Sequence, residues 1–272
     1  MIKELKDEAA KISVYADQFN KRMRIDEYHG ALPEVLSLIK KEIQGWTEKL
    51  IVKAYSRDLS FFLSHGFGCE GFIKNYFSGA DMFFVVMYFS SGREQSKKWH
   101  EEQSIVSQIL NSDKDQSSLK LDNIEIASQS QAEELAKVYG EIFQVYPTPL
   151  NTSEHVLKTM EEGTLYVFIR EEGEIVSAAS AEINRKYGNA ELTDCASVER
   201  VQGRGHMKKL LFKLENELTK QGINCLYSLA RAESYGMNKA FFQLGYTYGG
   251  RLINNCYIFS GLEDMNVWYK NG

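Results

Sequence analysis

The sequence predicts an α/β chain of the α+β kind. A C-terminal unit over residues 116–272 carries a mixed, mostly antiparallel sheet flanked by helices, and a related half-fold precedes it over 1–115. Three observations lead there. Strand and helix patterns alternate from Ile124 to Tyr269. A long amphipathic helix follows a glycine-rich turn ending at Gly205. The aromatic segment Phe61–Tyr88 is echoed at Phe241–Tyr269.

The polar stretch Asn111–Asn123, rich in Ser and Asp, reads as the linker between the two units. After it, Ile124–Ala127 is a short strand. Ala132–Phe143 has apolar residues at helical spacing, and Pro147 and Pro149 end that run. Asn151 or Thr152 caps a helix reaching Met160, which Gly163 stops. Leu165–Arg170, Glu174–Ile183 and Ala190–Val198 read as an antiparallel meander with glycine-containing turns. From Gly205 to Gln221, Met207, Leu210, Leu211, Leu214 and Leu218 make one apolar face, and Gly222 follows as the terminator. Ile223–Leu229 is a buried strand and Ser234–Leu244 a helix; Tyr246–Arg251 and Asp264–Tyr269 are the last strands.

The echo has a defined spacing. Both segments contain Phe-Phe, a Gly-aromatic pair (Gly66-Phe67, Gly245-Tyr246), a second glycine five residues on (Gly71, Gly250) and an Asp-Met pair before the final strand. Before the first segment, Leu32, Val35, Leu36, Ile39 and Ile43 give a helix and Leu50–Tyr55 a strand. This order, helix, strand, helix, strand, strand, suggests duplication. Only the second copy has glycines in sequence before its first helix, at Gly203 and Gly205; the first has Gly30 and Pro33. A single active site belongs to the second copy.

Composition narrows the function. Of 272 residues, 32 are Lys or Arg and 37 Asp or Glu, a net charge of −5, which argues against broad nucleic-acid binding. Residues 1–110 balance at 15 of each sign, so the whole excess lies in the second part and favours a cationic small substrate. The longest apolar run, Met82–Phe89, is too short for a membrane span, and the charged N-terminus lacks a signal core; a cytoplasmic protein is expected. Cys69, Cys195, Cys225 and Cys256 form no close ligand pairs, so no metal is expected.

The chemistry-bearing stretch is Gln202-Gly203-Arg204-Gly205-His206-Met207, between a strand and a helix. Glycines let backbone N–H groups approach a phosphate, and the helix N-terminus adds unpaired donors and a positive dipole. No G-K-[ST] follows and the third Rossmann glycine is missing. This segment resembles the [QR]-x-x-G-x-[GA] hallmark of the GNAT superfamily of acetyl-CoA-dependent N-acyltransferases. A register starting at Arg200 fits the hallmark fully; one starting at Gln202 fits except at Met207 and sets Leu210-Leu211 at the family's paired apolar positions. ELTDCAS at Glu191–Ser197, LYSLARAESYGMN at Leu226–Asn238, GYTYGGRLINNC at Gly245–Cys256 and EDMNVWYK at Glu263–Lys270 are similar to the β-lysine N6-acetyltransferases. FNKRMRIDEYHG at Phe19–Gly30 extends the likeness into the first half, which then reads as a degenerate GNAT-like unit with a structural role.

The resemblance implies acetyl-CoA as cosubstrate and the terminal amine of β-lysine (3,6-diaminohexanoate) as acceptor. It places pantetheine along Cys195, Ala196 and Ser197, and the pyrophosphate on Gln202, Gly203, Arg204, Gly205, His206, Met207 and Lys208. A lysine-like amine is more than about 99.9% protonated at pH 7, so a base is required. Glu191 and Asp194 are rivals for that role, and either can instead hold the substrate's second ammonium. On a regular strand they face opposite ways; a bulge would change that. The family's tyrosine acid is Phe241 here and its helix-start asparagine is Ser234, both carried over as coenzyme neighbours; Tyr235 or Tyr246 is then a candidate acid. Arg231, and Arg251 with Asn254 and Asn255, are candidates for the substrate carboxylate. Other amines, or coenzyme binding without catalysis, stay open on these residues, as does a homodimer.

Overall fold

The computed structural model describes residues 2–114, 121–143, 148–258 and 261–272. The first half runs β1 (Ile2–Lys6), β2 (Ala10–Asp17), β3 (Arg22–Gly30), α1 (Leu32–Glu42), β4 (Lys49–Tyr55), α2 (Leu59–Ser64), β5 (Gly68–Phe77) and β6 (Ala80–Tyr88). Helix α3 (Trp99–Leu110) follows. The second half runs β7 (Ile124–Ile126), α4 (Ala132–Ile142), α5 (Ser153–Glu161), β8 (Leu165–Glu171), β9 (Glu174–Asn184), β10 (Asn189–Ser197), α6 (His206–Lys220), β11 (Cys225–Arg231), α7 (Tyr235–Gln243), β12 (Thr247–Ile258) and β13 (Gly261–Asn271).

Among the described residues, the strands form one 13-stranded sheet in the order β1-β2-β3-β4-β6-β5-β12-β13-β11-β10-β9-β8-β7. This order is nearly palindromic. In each half two neighbours are parallel, β3 with β4 and β10 with β11, and the remaining pairs are antiparallel. The halves join where Gly71 pairs with Gly250, the two echo glycines. Close backbone approach explains them: a Cβ on Gly250 would lie 2.3 Å from the Glu70 carbonyl oxygen. The Phe-Phe echo is offset by one residue. Phe67 N–H donates to Phe62 O at 3.2 Å as Tyr246 N–H donates to Phe241 O at 3.0 Å, so Phe62 and Phe241 are the equivalent core residues.

Helices line the outer faces. Leu210, Leu211, Leu214 and Leu218 of α6 bury against Ala181, Ala190 and Leu192, the inward positions of β9 and β10. Val35 and Ile39 of α1 do the same against Ile12, Met23 and Ile25. On the opposite face the two halves share a core, in which Ile51, Met82 and Phe84 meet Tyr227, Leu252 and Val267. Helices α4 and α5 cover the remaining end through Leu135, Tyr139 and Val156.

Some expectations change. Strand β12 runs to Ile258 and β13 starts at Gly261, longer than Tyr246–Arg251 and Asp264–Tyr269. Bulges at Tyr248/Gly250 and Leu252/Cys256 break the alternation that would reveal their length. Strands β1–β3 and helix α3 are additions to the sequence reading. Helix α3 lies inside the 1–115 boundary, yet its Ile105 and Ile109 pack into the core with Leu214 and Phe241. Residues 115–120 of the expected linker, and Pro147, lie outside the described residues.

Candidate active site

Strands β10 and β11 pair only over Asn189–Glu191 and Cys225–Tyr227. Beyond Glu191 they diverge, and β11 follows β13 up to Arg231. The gap is a wedge-shaped cavity of about 90 Å³, with Asp194, Cys195, Ser228, Ala230, Arg231 and Met237 on its walls. Diverging strands leave main-chain groups facing the gap, which an extended amide-bearing chain can pair as an added strand.

Strand β10, one wall of the wedge, ends at Ser197, and the chain then enters the glycine turn. Gly203 and Gly205 both have φ of +77°, a left-handed conformation that glycine adopts without strain. A Cβ on either would meet nothing within 4 Å, so open space faces the turn. Gly205 is the N-cap of the 15-residue helix α6 and supplies no side-chain oxygen to the first-turn N–H groups. The Gln202 amide reaches back to Ser197 O at 3.3 Å and fixes the strand to the turn. These features suit a diphosphate at the helix N-terminus and a pantetheine-like arm in the wedge. His206 is tied elsewhere: its Nδ1 is 3.1 Å from Ser177 Oγ and its Nε2 3.6 Å from Glu171. Burial lowers its pKa, with Glu171 opposing and Lys209 and Arg204 adding to the shift.

A bulge between Thr193 and Ala196 decides how the two carboxylates face. Asp194 takes φ of +49° there, and Ser180 Oγ donates to its carboxylate at 2.7 Å. Ser180 and Glu182 share one face of β9, and Glu182 is the cross-strand partner of Glu191. Glu191, Asp194 and Glu182 therefore sit on one face, directed toward the first half. Sequence reading missed Glu182, which belongs to no motif. Glu182 is exposed at the strand surface, and its carboxyl is held above the ordinary carboxylate range, by desolvation first and then by the charges of Glu191 and Asp194. Across from Glu191, Arg24 and Lys53 of the first half line the same small cavity, together with Tyr227 and Asn255. Both cations are held by Asp26, Arg24 through Nε at 2.7 Å and Lys53 at 2.9 Å.

The other candidates divide. Arg231 borders the wedge, but its guanidinium binds Glu263 through Nε at 2.6 Å and Nη2 at 2.8 Å. Arg251 is 3% exposed and is committed to Asn266, to Glu102 and to the Trp99 ring, so it is not placed to receive a substrate carboxylate. The Asn254 amide donates to Arg93 O and Gln95 O and tethers that loop. Asn255 is buried, and its carbonyl accepts from Arg22 at 3.1 Å. Phe241 is fully buried against Tyr246 in the core. Ser234 caps α7 without a side-chain hydrogen bond, and Tyr235 beside it is exposed. No helix among the described residues is long and apolar enough to cross a membrane.

Residues 130–246 match the Acetyltransferase (GNAT) family. The chain is 37% identical to the N-acetyltransferase YodP of Bacillus subtilis (strain 168), over 99% of both proteins. It is 38% identical to a beta-lysine N(6)-acetyltransferase of Methanosarcina mazei, over 75% of this chain and 84% of that one. It is 35% identical to the protein of that name in Methanococcus maripaludis, over 87% and 89%. On this likeness, with the splayed strands and glycine turn in place, the chain belongs to the GNAT acetyltransferase family and is an N-acetyltransferase with acetyl-CoA as its cosubstrate.

Proposed function

We propose that the acceptor is β-lysine and that the acetyl group goes to its N6 amine. Two relatives that bear that activity in their names, each aligned over three quarters or more of this chain, support this reading. The single observation that carries the acceptor chemistry is the face bearing Glu191, Asp194 and Glu182 at the root of the wedge. Three carboxylates on one face suit a molecule with two ammonium groups.

Bound acetyl-CoA supplies an acetyl thioester, an acyl donor with a good leaving group. Residues Gln202 to Lys208 hold its diphosphate, and the main chain at Cys195, Ala196 and Ser197 pairs with its arm. Glu191 takes the proton from the terminal ammonium, and the exposed Glu182 paired across from it gives that proton an exit to solvent. Asp194, fixed by Ser180, holds the second ammonium. A backbone N–H of β10 faces the developing oxyanion. With Phe241 buried, water protonates the thiolate. The first half is a structural unit that closes the wall opposite Glu191.

Thiol release from acetyl-CoA, measured with β-lysine, α-lysine and spermidine, tests this. The reading requires β-lysine to give the highest kcat/KM; a preference for spermidine, or no release with any of the three, ends it.

A further inference from the structure

A cavity of about 650 Å³ lies between the halves, walled by the turn at Phe19–Lys21, the segment at Gly92–Lys98, and Arg231, Glu263 and Asp264. Arg231 lines both this cavity and the wedge, so the two spaces share a wall.

Arg93 belongs to the cavity lining and is 2% exposed. Its Nη1 makes a loose 3.5 Å contact with Glu48. Its Nε and Nη2 are buried and have no acceptor among the described residues. These two nitrogens form one edge of the guanidinium, and this protein uses that edge repeatedly. Arg24 presents it to Asp26 at 2.7 and 3.1 Å, and Arg231 presents it to Glu263 at 2.6 and 2.8 Å. In both cases the partner is a carboxylate bound by two parallel hydrogen bonds. A buried donor without an acceptor is costly, and a site that leaves two on one arginine is built for a ligand that answers both.

We propose that the cavity between the halves binds the carboxylate of an amino-acid acceptor on the Nε–Nη2 edge of Arg93, while the acceptor's far amine enters the wedge past Arg231. This rests on the reading of the acceptor as a diamino acid. Because both nitrogens are buried, presenting this edge to the cavity takes a turn of the side-chain end, which breaks the 3.5 Å contact to Glu48. Specificity for an amino acid over a simple diamine then comes from the first half, although the reaction takes place on the second.

The test compares β-lysine with 1,4-diaminopentane, the same molecule without its carboxylate. The ratio of their kcat/KM values is measured for the full-length enzyme, Arg93→Gln and Arg93→Lys. The ratio falls about tenfold to a hundredfold in Arg93→Gln and by less in Arg93→Lys, which keeps a charge but not the fork. Equal losses on both substrates, the signature of a merely structural arginine, overturn the proposal, as does an unchanged ratio. If the wild-type enzyme does not acetylate β-lysine, the functional reading fails and the site is judged by binding. Calorimetric titration with 6-aminohexanoate and with pentylamine then shows tighter binding of the former, lost in Arg93→Gln; equal affinities in the wild type overturn the site as well.

Discussion

Tyr28 and Cys195 stand at the same place in the two copies, and only Tyr28 closes the gap beside it. Arg24 in β3 and Glu191 in β10 are each the third residue of a parallel pairing, and Tyr28 and Cys195 lie four residues beyond them. The Tyr28 hydroxyl accepts from Tyr55 N–H at 3.1 Å and donates to Asp58 at 2.7 Å, so it satisfies the strand that β3 leaves. Cys195 is too small to do this, and the wedge remains open.

The first copy is therefore expected to bind no coenzyme. Calorimetry on the full chain gives one acetyl-CoA per chain. Tyr28→Phe loses both hydrogen bonds and about 1–3 kcal/mol of stability in chemical denaturation, without a second binding event. A stoichiometry of two would contradict the equivalence.

Gly205→Ala forces a Cβ onto a residue at φ of +77°, a strain of about 1–3 kcal/mol. The helix start shifts to relieve it, and the diphosphate donors shift too. The Kd for acetyl-CoA rises about tenfold or more, while KM for the amine changes little. Fluorescence or calorimetric titration measures the first and steady-state kinetics the second.

Glu191→Gln removes the proposed proton acceptor without changing its size. kcat falls by about 10²–10⁴ and the coenzyme Kd stays near the wild-type value. Asp194→Asn, in contrast, acts mainly on KM for the amine, because that residue holds an ammonium in the proposed mechanism. The opposite pattern, with kcat lost at Asp194 and KM at Glu191, would exchange the two roles.

Glu102 links helix α3 to strand β13. Its carboxyl is pushed up to about 8, by burial first and then by its hydrogen bond to Asp264, with Arg251 opposing. The folded protein keeps this proton at pH values where the unfolded chain, near its ordinary value of 4.5, has lost it. Stability from this group is full below about pH 4.5 and declines as pH rises toward 8. Melting curves between pH 5 and 8 record the decline, and Glu102→Gln flattens it, with a gain on the order of 1 kcal/mol at pH 8.

The second half was legible because its signals are local. A helix with Leu at 210, 211, 214 and 218 and glycines at 203 and 205 needs no distant partner to be recognised. Strand β3 was not, because Arg22, Arg24 and Asp26 alternate with Met23 and Ile25 and look solvent-facing; they point into the junction, where Asp17 and Asp26 pair with the arginines. Charges buried by partners far away in sequence carry no periodic signature. Glu182 and Arg93 belong to no motif and have no local mark, and Arg251 has the sequence look of a ligand-binding arginine although Glu102 and Trp99 hold it in the fold.

A crystal structure of the full chain with acetyl-CoA measures the central relationship directly. The diphosphate oxygens should accept hydrogen bonds from main-chain N–H groups between Gly203 and Lys208, with the thioester carbonyl in the wedge beside Asp194 and within a substrate's length of Glu191. Coenzyme bound elsewhere, with β10 and β11 drawn together and the glycine turn unoccupied, would contradict it.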